Sequence, residues 1–378
     1  MAPARRLNAD ADDDGAVEPM GLHGAVVRAA GSAEPVSIDG GRFLLVANLD
    51  GAREVLTRDD DFTLPFDVAR QSIRVPRDQG RTTKDFPPLS AAAAQHGREV
   101  FVAELDAVDV PSEPDALQVL RLPVARSTTA SVVPDASLTD RDRIAELVLD
   151  WVDALAPIIS ADRPPARWSA ARRTERGVRR ALFAALRSAG VDDPAIVATA
   201  LAAGVQVPIA AGAWCLVLLA HDATLQRRLR EDPSLGTALV WEVLRLYPPT
   251  WLIARITTRA VEIGQAAVPA YRPVVVSPVA LGRLPDLVPG PEHGLAALDR
   301  IDVDRWAGGT HRPGTWLPFG AGRHACPGRS LGLAQLVAVV GWAGGLDLEP
   351  TAPLGIDADR GLAPAPSAVR VRPRRADS

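Results

Sequence analysis

The sequence predicts a mainly α fold with a small β portion, in a single domain over residues 19–378. Three observations carry that expectation. Residues 115–247 read as almost uninterrupted helix, closed by Pro248-Pro249. Residues 251–280 then change to short β-branched runs. Finally, a glycine-rich loop holding one cysteine, Trp316-Leu-Pro-Phe-Gly-Ala-Gly-Arg-His-Ala-Cys326-Pro-Gly328, leads into Leu331–Val340, which reads as a buried helix.

Taken in order, residues 1–18 are polar and acidic with no apolar run. They read as a disordered tail, neither a secretory signal nor a membrane anchor. Ala33–Ile38, a Gly40-Gly41 turn and Arg42–Ala47 predict a hairpin. Asp50–Arg58 predicts a short helix. Ala69–Pro111 is weakly periodic and reads as a long irregular stretch, the kind that forms binding loops. Helices are expected at Asp115–Leu122, Thr139–Ala156, Trp168–Ser188, Pro194–His221, Asp222–Glu231 and Ser234–Tyr247. Strands are expected at Trp251–Ile256, Ala260–Ile263 and Pro273–Ser277. A polar loop region, Gly282–Gly314, precedes the cysteine loop, and Ser367–Arg372 closes the chain as a strand. There are no internal repeats and no clear linker.

Ala195–Ala220 carries no charge and is long enough to cross a membrane. Gly204, Gln206, Pro208 and Gly212 interrupt it, and polar sequence flanks it on both sides. A buried core helix is the better reading, so a soluble, cytoplasmic, monomeric protein without a membrane partner is expected. The net charge of -4 argues against nucleic acid as a main partner. The two cysteines, Cys215 and Cys326, imply no disulfide framework, and no Cys-x-x-Cys or His-x-x-x-His pair points to zinc.

Cys326 sits where backbone N–H groups of a tight loop can face a sulfur, and the following helix start favours an anion there. Gly320, Gly322 and Gly328 allow positive φ and close approach to a flat cofactor. Phe319 is placed to shield the sulfur from water. A lone cysteine is more often a buried structural residue than a ligand, so the flanking pattern decides. Phe-x-x-Gly-x-His-x-Cys-x-Gly resembles the haem-binding loop of the cytochrome P450 family of haem-thiolate enzymes. That family often has arginine at the position of His324. Its soluble bacterial members also use histidine there, as a haem-propionate partner.

Glu242 and Arg245 lie three apart on one helical face, with Arg305 downstream. Alone, the pair could be a solvated surface contact; its apolar neighbours favour burial. In the resembled family, a Glu-x-x-Arg helix and a downstream arginine lock the structure behind the haem. The resemblance therefore implies a P450-like fold, with haem b between a long central helix and the cysteine loop. It implies Cys326 as axial iron ligand, with Phe319 and Gly328 beside it. It also implies Arg255, His324 and Arg121 as propionate partners, with Arg126 as the substitute for Arg121. Leu117 stands where the family usually has histidine or tryptophan, so one propionate contact is expected to be missing. For each arginine, an ordinary surface charge is the competing reading.

The long helix departs from the family. Where members show an acid followed by threonine, this chain has Gln206, Val207 and then Pro208. Gln206 cannot relay a proton as an acid does, and Val207 has no hydroxyl. Pro208 removes an N–H, costs about 3 kcal/mol in a helix interior and is expected to kink the helix.

Three mechanisms fit: a monooxygenase whose substrate or a water supplies the proton, a peroxide-driven enzyme, or an oxidation without oxygen insertion, such as cyclisation or coupling. A non-catalytic haem sensor is the alternative of a different class. Electrons for a dioxygen cycle would come from a ferredoxin or flavodoxin, docked on Arg312, Arg323 and Arg329. The pocket is expected between the 69–111 stretch, Ala200–Pro208, Thr250–Ile253 and Leu362–Ser367. The last three are mainly apolar, so a largely apolar small molecule is expected.

Overall fold

The computed structural model describes residues 21–64, 88–159, 161, 165–306, 312–357 and 361–372. The tail expected at residues 1–18, and residues 69–87 of the expected binding loop, lie outside these.

The chain opens with α1 (Gly21–Arg28), the hairpin β1 (Val36–Ile38) and β2 (Phe43–Val46), α2 (Leu49–Thr57) and β3 (Phe62–Thr63). Helices α3 (Ala91–Asp106), α4 (Ala116–Val132), α5 (Leu138–Ile159), α6 (Ala170–Ser188), α7 (Pro194–His221), α8 (Ala223–Glu231) and α9 (Leu235–Leu246) follow. Then come β4 (Ile253–Thr257), β5 (Val261–Ile263), β6 (Ala266–Val268), β7 (Pro273–Val276) and the single turn α10 (Pro278–Leu281). The chain closes with α11 (Arg329–Ala343), β8 (Asp347–Pro350), β9 (Ile356–Asp357), β10 (Ala363–Pro364) and β11 (Val369–Arg372).

The main sheet has five strands in the order β1-β2-β7-β4-β3. Its pairs are antiparallel except β2–β7, which runs parallel with Leu45 opposite Val275. The closing strand β11 pairs antiparallel with β8.

Two expectations are corrected. The irregular stretch Ala69–Pro111 contains the 16-residue helix α3. Its inward face is Ala94, Gly97, Phe101 and Leu105, half of them small residues that give little apolar contrast in the sequence. Ser90 caps it by accepting the Ala93 N–H at 3.1 Å. The helix expected at Asp115–Leu122 runs on to Val132 through Pro123. Beyond Pro123, the buried Val124, Ala125 and Ala130 reward continuation.

Helix α7 is the axis of the fold, touching α4, α5, α6, α9 and α11. From Ala211 to Ala220 it is buried on every face. Among the described residues it is the one helix long and apolar enough to cross a membrane, and 67% of its apolar window is covered by the fold. Gly212 lets α4 and α11 approach closely: a β-carbon there would lie 2.7 Å from Leu120 and 3.5 Å from Val339. Trp214 ties α7 to the end of the chain. Its ring stacks on Tyr247 at 3.9 Å, and its Nε1–H donates to the Leu362 carbonyl at 2.6 Å. The expected pocket turn Leu362–Ser367 is thereby held against the long helix.

Candidate functional site

The cysteine loop is built by backbone geometry. Gly320 and Gly322 both take φ +69, and the Cys326 N–H donates to the Phe319 carbonyl at 2.8 Å. A short 3-10 turn, Gly322–His324, carries His324 two residues before the cysteine. Gly322 presses on α2 so tightly that a β-carbon would come within 2.4 Å of the Leu56 carbonyl oxygen. Helix α11 starts at Arg329, immediately beyond Gly328.

Cys326 is exposed, yet desolvation by surrounding protein pushes its thiol pKa up, while the Gly328 N–H and the Arg329 charge pull it down. A metal cation at the sulfur is what would hold such a thiol deprotonated. Cys215 is the opposite case: fully buried on α7, its pKa is pushed up to about 12, and it is inert.

Behind the loop, Glu242, Arg245 and Arg305 meet, all three buried. Arg245 donates to both Glu242 oxygens at 2.7 Å. Its remaining N–H groups reach the carbonyls of Gly282 (3.2 Å), Arg300 (2.7 Å) and Leu298. Arg305 donates Nε–H to Glu242 at 3.3 Å and satisfies the carbonyls of Pro289, Ala296, Ala297 and Arg300. Nearly every donor is used, the condition under which a buried ion pair is tolerated.

Sequence reasoning missed how this network reaches the cysteine. Trp306 donates Nε1–H to Glu242 at 3.0 Å and stacks on Trp316 at 5.1 Å. Trp316 meets Trp241 edge-on at 5.9 Å, and Trp241 meets Phe319 edge-on at 6.3 Å. The Arg329 guanidinium lies over both Phe319 (5.4 Å) and Trp241 (5.9 Å). The placing of tryptophans 241, 306 and 316 beside the motif residues was the available signal.

The arginines divide. Arg255 on β4 is 3% exposed, donates to the Ala254 carbonyl at 2.9 Å, and leaves Nε with no partner among the described residues. Burial lowers its pKa, and Asp59 offsets this only in part. A buried guanidinium with spare donors fits an anionic group such as a carboxylate. Arg121 instead pairs with Asp153 on α5 at 2.6 Å, and Arg126 pairs with Glu104 (2.8 Å) and Asp142 (3.0 Å). Both candidate arginines on α4 thus brace neighbouring helices.

On α7 the expected site turn stands out from its buried surroundings. Ala203 and Gln206 are exposed, Val207 and Ala210 are half-buried, and Pro208 is buried. These spacings place Ala203, Gln206, Val207 and Ala210 on one uncovered face. The helix runs on as one element through Pro208. A long apolar helix with one uncovered face, an exposed cysteine under a glycine loop and a buried arginine with a spare donor are features that could hold a thiolate-bound, anionic cofactor.

Residues 194–343 match the cytochrome P450 family model. Two proteins of Streptomyces melanosporofaciens are similar. Cyclooctat-9-en-7-ol 5-monooxygenase is 32% identical over 174 residues, covering 40% of this chain and 36% of that protein. Cyclooctatin synthase is 32% identical over 169 residues, covering 38% and 35%. The matched segment thus spans about a third of each relative's length. Among solved structures, the open form of cytochrome P450 EryK from S. erythraea superposes with a TM-score of 0.68. It is 18% identical and covers 95% of this chain and 100% of that one. The 194–343 segment thus carries the sequence pattern of the cytochrome P450 family, and the chain has the fold of solved cytochromes P450. Members of that family bind haem with a cysteine thiolate as axial ligand to the iron. The exposed thiol of Cys326 and the buried guanidinium of Arg255 are the kinds of donor that group requires.

Proposed function

We propose that the chain is a haem-thiolate oxidoreductase acting on a largely apolar small molecule, as a biosynthetic tailoring monooxygenase with atypical distal proton delivery. The observation that carries this reading is the exposed Cys326, held by backbone bonds at the start of α11 and braced by the buried Glu242–Arg245–Arg305 cluster. Haem b bound there would supply oxidising power from dioxygen or peroxide, with the Cys326 thiolate as its electron-rich donor.

The chain's own residues hold and orient. Cys326 is the iron ligand, and the Gly328 N–H tempers its charge. Phe319 keeps water from the sulfur. Arg255 and His324 neutralise the propionates. Arg121 would serve only by leaving Asp153. Gln206 and Val207 face substrate with Pro208 buried behind them, and neither Gln206 nor Val207 relays a proton from its side chain. A substrate hydroxyl or an ordered water takes that role.

The whole domain, residues 19–378, serves this one site in a soluble, cytoplasmic monomer. A ferredoxin or flavodoxin docks on Arg312, Arg323 and Arg329 and delivers electrons. The similar protein named a 5-monooxygenase supports oxygen insertion.

A second reading is favoured by one observation: peroxide arrives with its own protons, so it needs neither an acid at position 206 nor a hydroxyl at 207. The test is a titration of the purified holoprotein with candidate apolar substrates, watching displacement of the distal iron ligand. Turnover with dioxygen plus reductant is then compared with turnover on peroxide. Product only with peroxide replaces the first reading by the second. Ligand displacement without product under either oxidant overturns both and leaves a sensor.

A further inference from the structure

Pro208 has no N–H, so the carbonyl of Gly204, one helical turn earlier, loses its usual partner within α7. The structure supplies another donor from a different helix. The Thr128 hydroxyl, on α4 and 2% exposed, reaches the Gly204 carbonyl oxygen at 3.5 Å. Its methyl group packs so closely that a β-carbon on Gly204 would lie 2.9 Å from Thr128 Cγ2.

Thr128 is itself oriented. Gln335 on α11, 1% exposed, donates its side-chain amide to Ser127 at 2.9 Å and to the Thr128 hydroxyl at 3.5 Å. Accepting from Gln335 turns the Thr128 proton toward Gly204. Ser127 in turn donates to the Gly97 carbonyl on α3 at 2.7 Å. One buried polar cluster therefore connects α11, which starts at the cysteine loop, with the turn of α7 that carries Gln206 and Val207.

We propose that Thr128 is a positioning residue: its hydroxyl replaces the amide that Pro208 removes, and so fixes the Gly204–Val207 turn relative to α11. The proposal rests on the haem-site reading for its functional consequence, though not for the contact itself. Nothing in the motif residues signals it, because Thr128 lies 76 positions from its partner in an unremarkable small-residue stretch.

The test is a double-mutant cycle on the full chain with Thr128→Val, which removes the hydroxyl at nearly constant shape, and Pro208→Ala, which restores the missing N–H. Thr128→Val is expected to lower the melting temperature by roughly 2 °C or more when Pro208 is intact, and by much less in the Pro208→Ala background. Equal losses in both backgrounds overturn the proposal.

Positioning is read separately, from the affinity of the holoprotein for imidazole as a distal iron ligand, followed by absorption. Thr128→Val is expected to change that affinity several-fold, and Thr128→Ser to restore it. Val339→Ala, a packing loss on α11, serves as the stability control and leaves the affinity unchanged. Coupling in the stability cycle with no change in imidazole affinity overturns the positioning role. Absence of haem from the wild-type protein instead overturns the haem-site reading, while the stability cycle still decides whether Thr128 stands in for the amide.

Discussion

Glu242 and Arg245, three residues apart on α9, are both fully buried and joined by two hydrogen bonds of 2.7 Å. Arg305 and Trp306 reach the same carboxylate from the loop that precedes the cysteine segment. This carboxylate ties α9 to the segment that precedes the cysteine loop.

Glu242→Ala should therefore be among the most damaging changes in the chain. It strands two buried guanidinium groups, and losing one partner of a buried pair costs about 3–5 kcal/mol. Denaturant unfolding measures this directly, and a loss below about 1 kcal/mol would place the pair in the solvated-surface class.

Arg255 should behave differently. Its buried guanidinium has a spare Nε–H and a pKa lowered by burial, so it contributes little to the folded chain alone. Arg255→Met is expected to leave unfolding of the haem-free protein within about 1 kcal/mol of wild type. The same change should sharply lower the haem-to-protein ratio after purification. Equal haem retention in the two proteins would remove Arg255 from the cofactor site.

Gly322→Ala tests the seat of the cysteine loop. The added carbon meets the Leu56 carbonyl at 2.4 Å, in a backbone conformation of φ +69 that costs a non-glycine residue about 1–2 kcal/mol. The loop must lift away from α2, so lower stability and weaker haem retention are expected together. Wild-type values of both would show that the loop does not depend on α2.

His23 gives the fold a dependence on pH. It is buried, edge-on to Trp251 at 6.1 Å, and its pKa is lowered to about 4 by burial first and by the Arg283 charge second. The unfolded chain takes up this proton near the ordinary histidine pKa, about 6.5, and the folded chain does not until about 4. In that window the unfolded state binds more protons, so stability falls as pH drops, by up to roughly 3 kcal/mol. Comparing wild type with His23→Phe from pH 7 to pH 4 checks this: the variant should lose less over the window. Parallel curves would exclude His23 as the source.

The helical body and the cysteine loop were legible because each is written in residues whose pattern has few alternatives. An apolar stretch as long as α7, a proline pair after Tyr247 and a cysteine among spaced glycines leave little freedom. Helix α3 was hidden because its buried face uses Ala94 and Gly97, which carry almost no hydrophobic contrast. The extension of α4 was hidden by Pro123, a residue that local rules treat as a stop. Arg121 and Arg126 illustrate a different limit. The resemblance offered them as propionate partners, whereas their ion-pair partners Asp153, Glu104 and Asp142 come from other helices and cannot be seen along the chain. The same holds for Thr128, whose role exists only once α4 lies against Gly204.

Whether Cys326 binds iron as a thiolate is read most directly from the absorption spectrum of the reduced carbon monoxide adduct of the purified protein, beside that of Cys326→Ser. The expected result is a strongly red-shifted main band in the wild type and its loss in the variant. An unshifted band in the wild type, or purified protein without haem, would contradict that assignment.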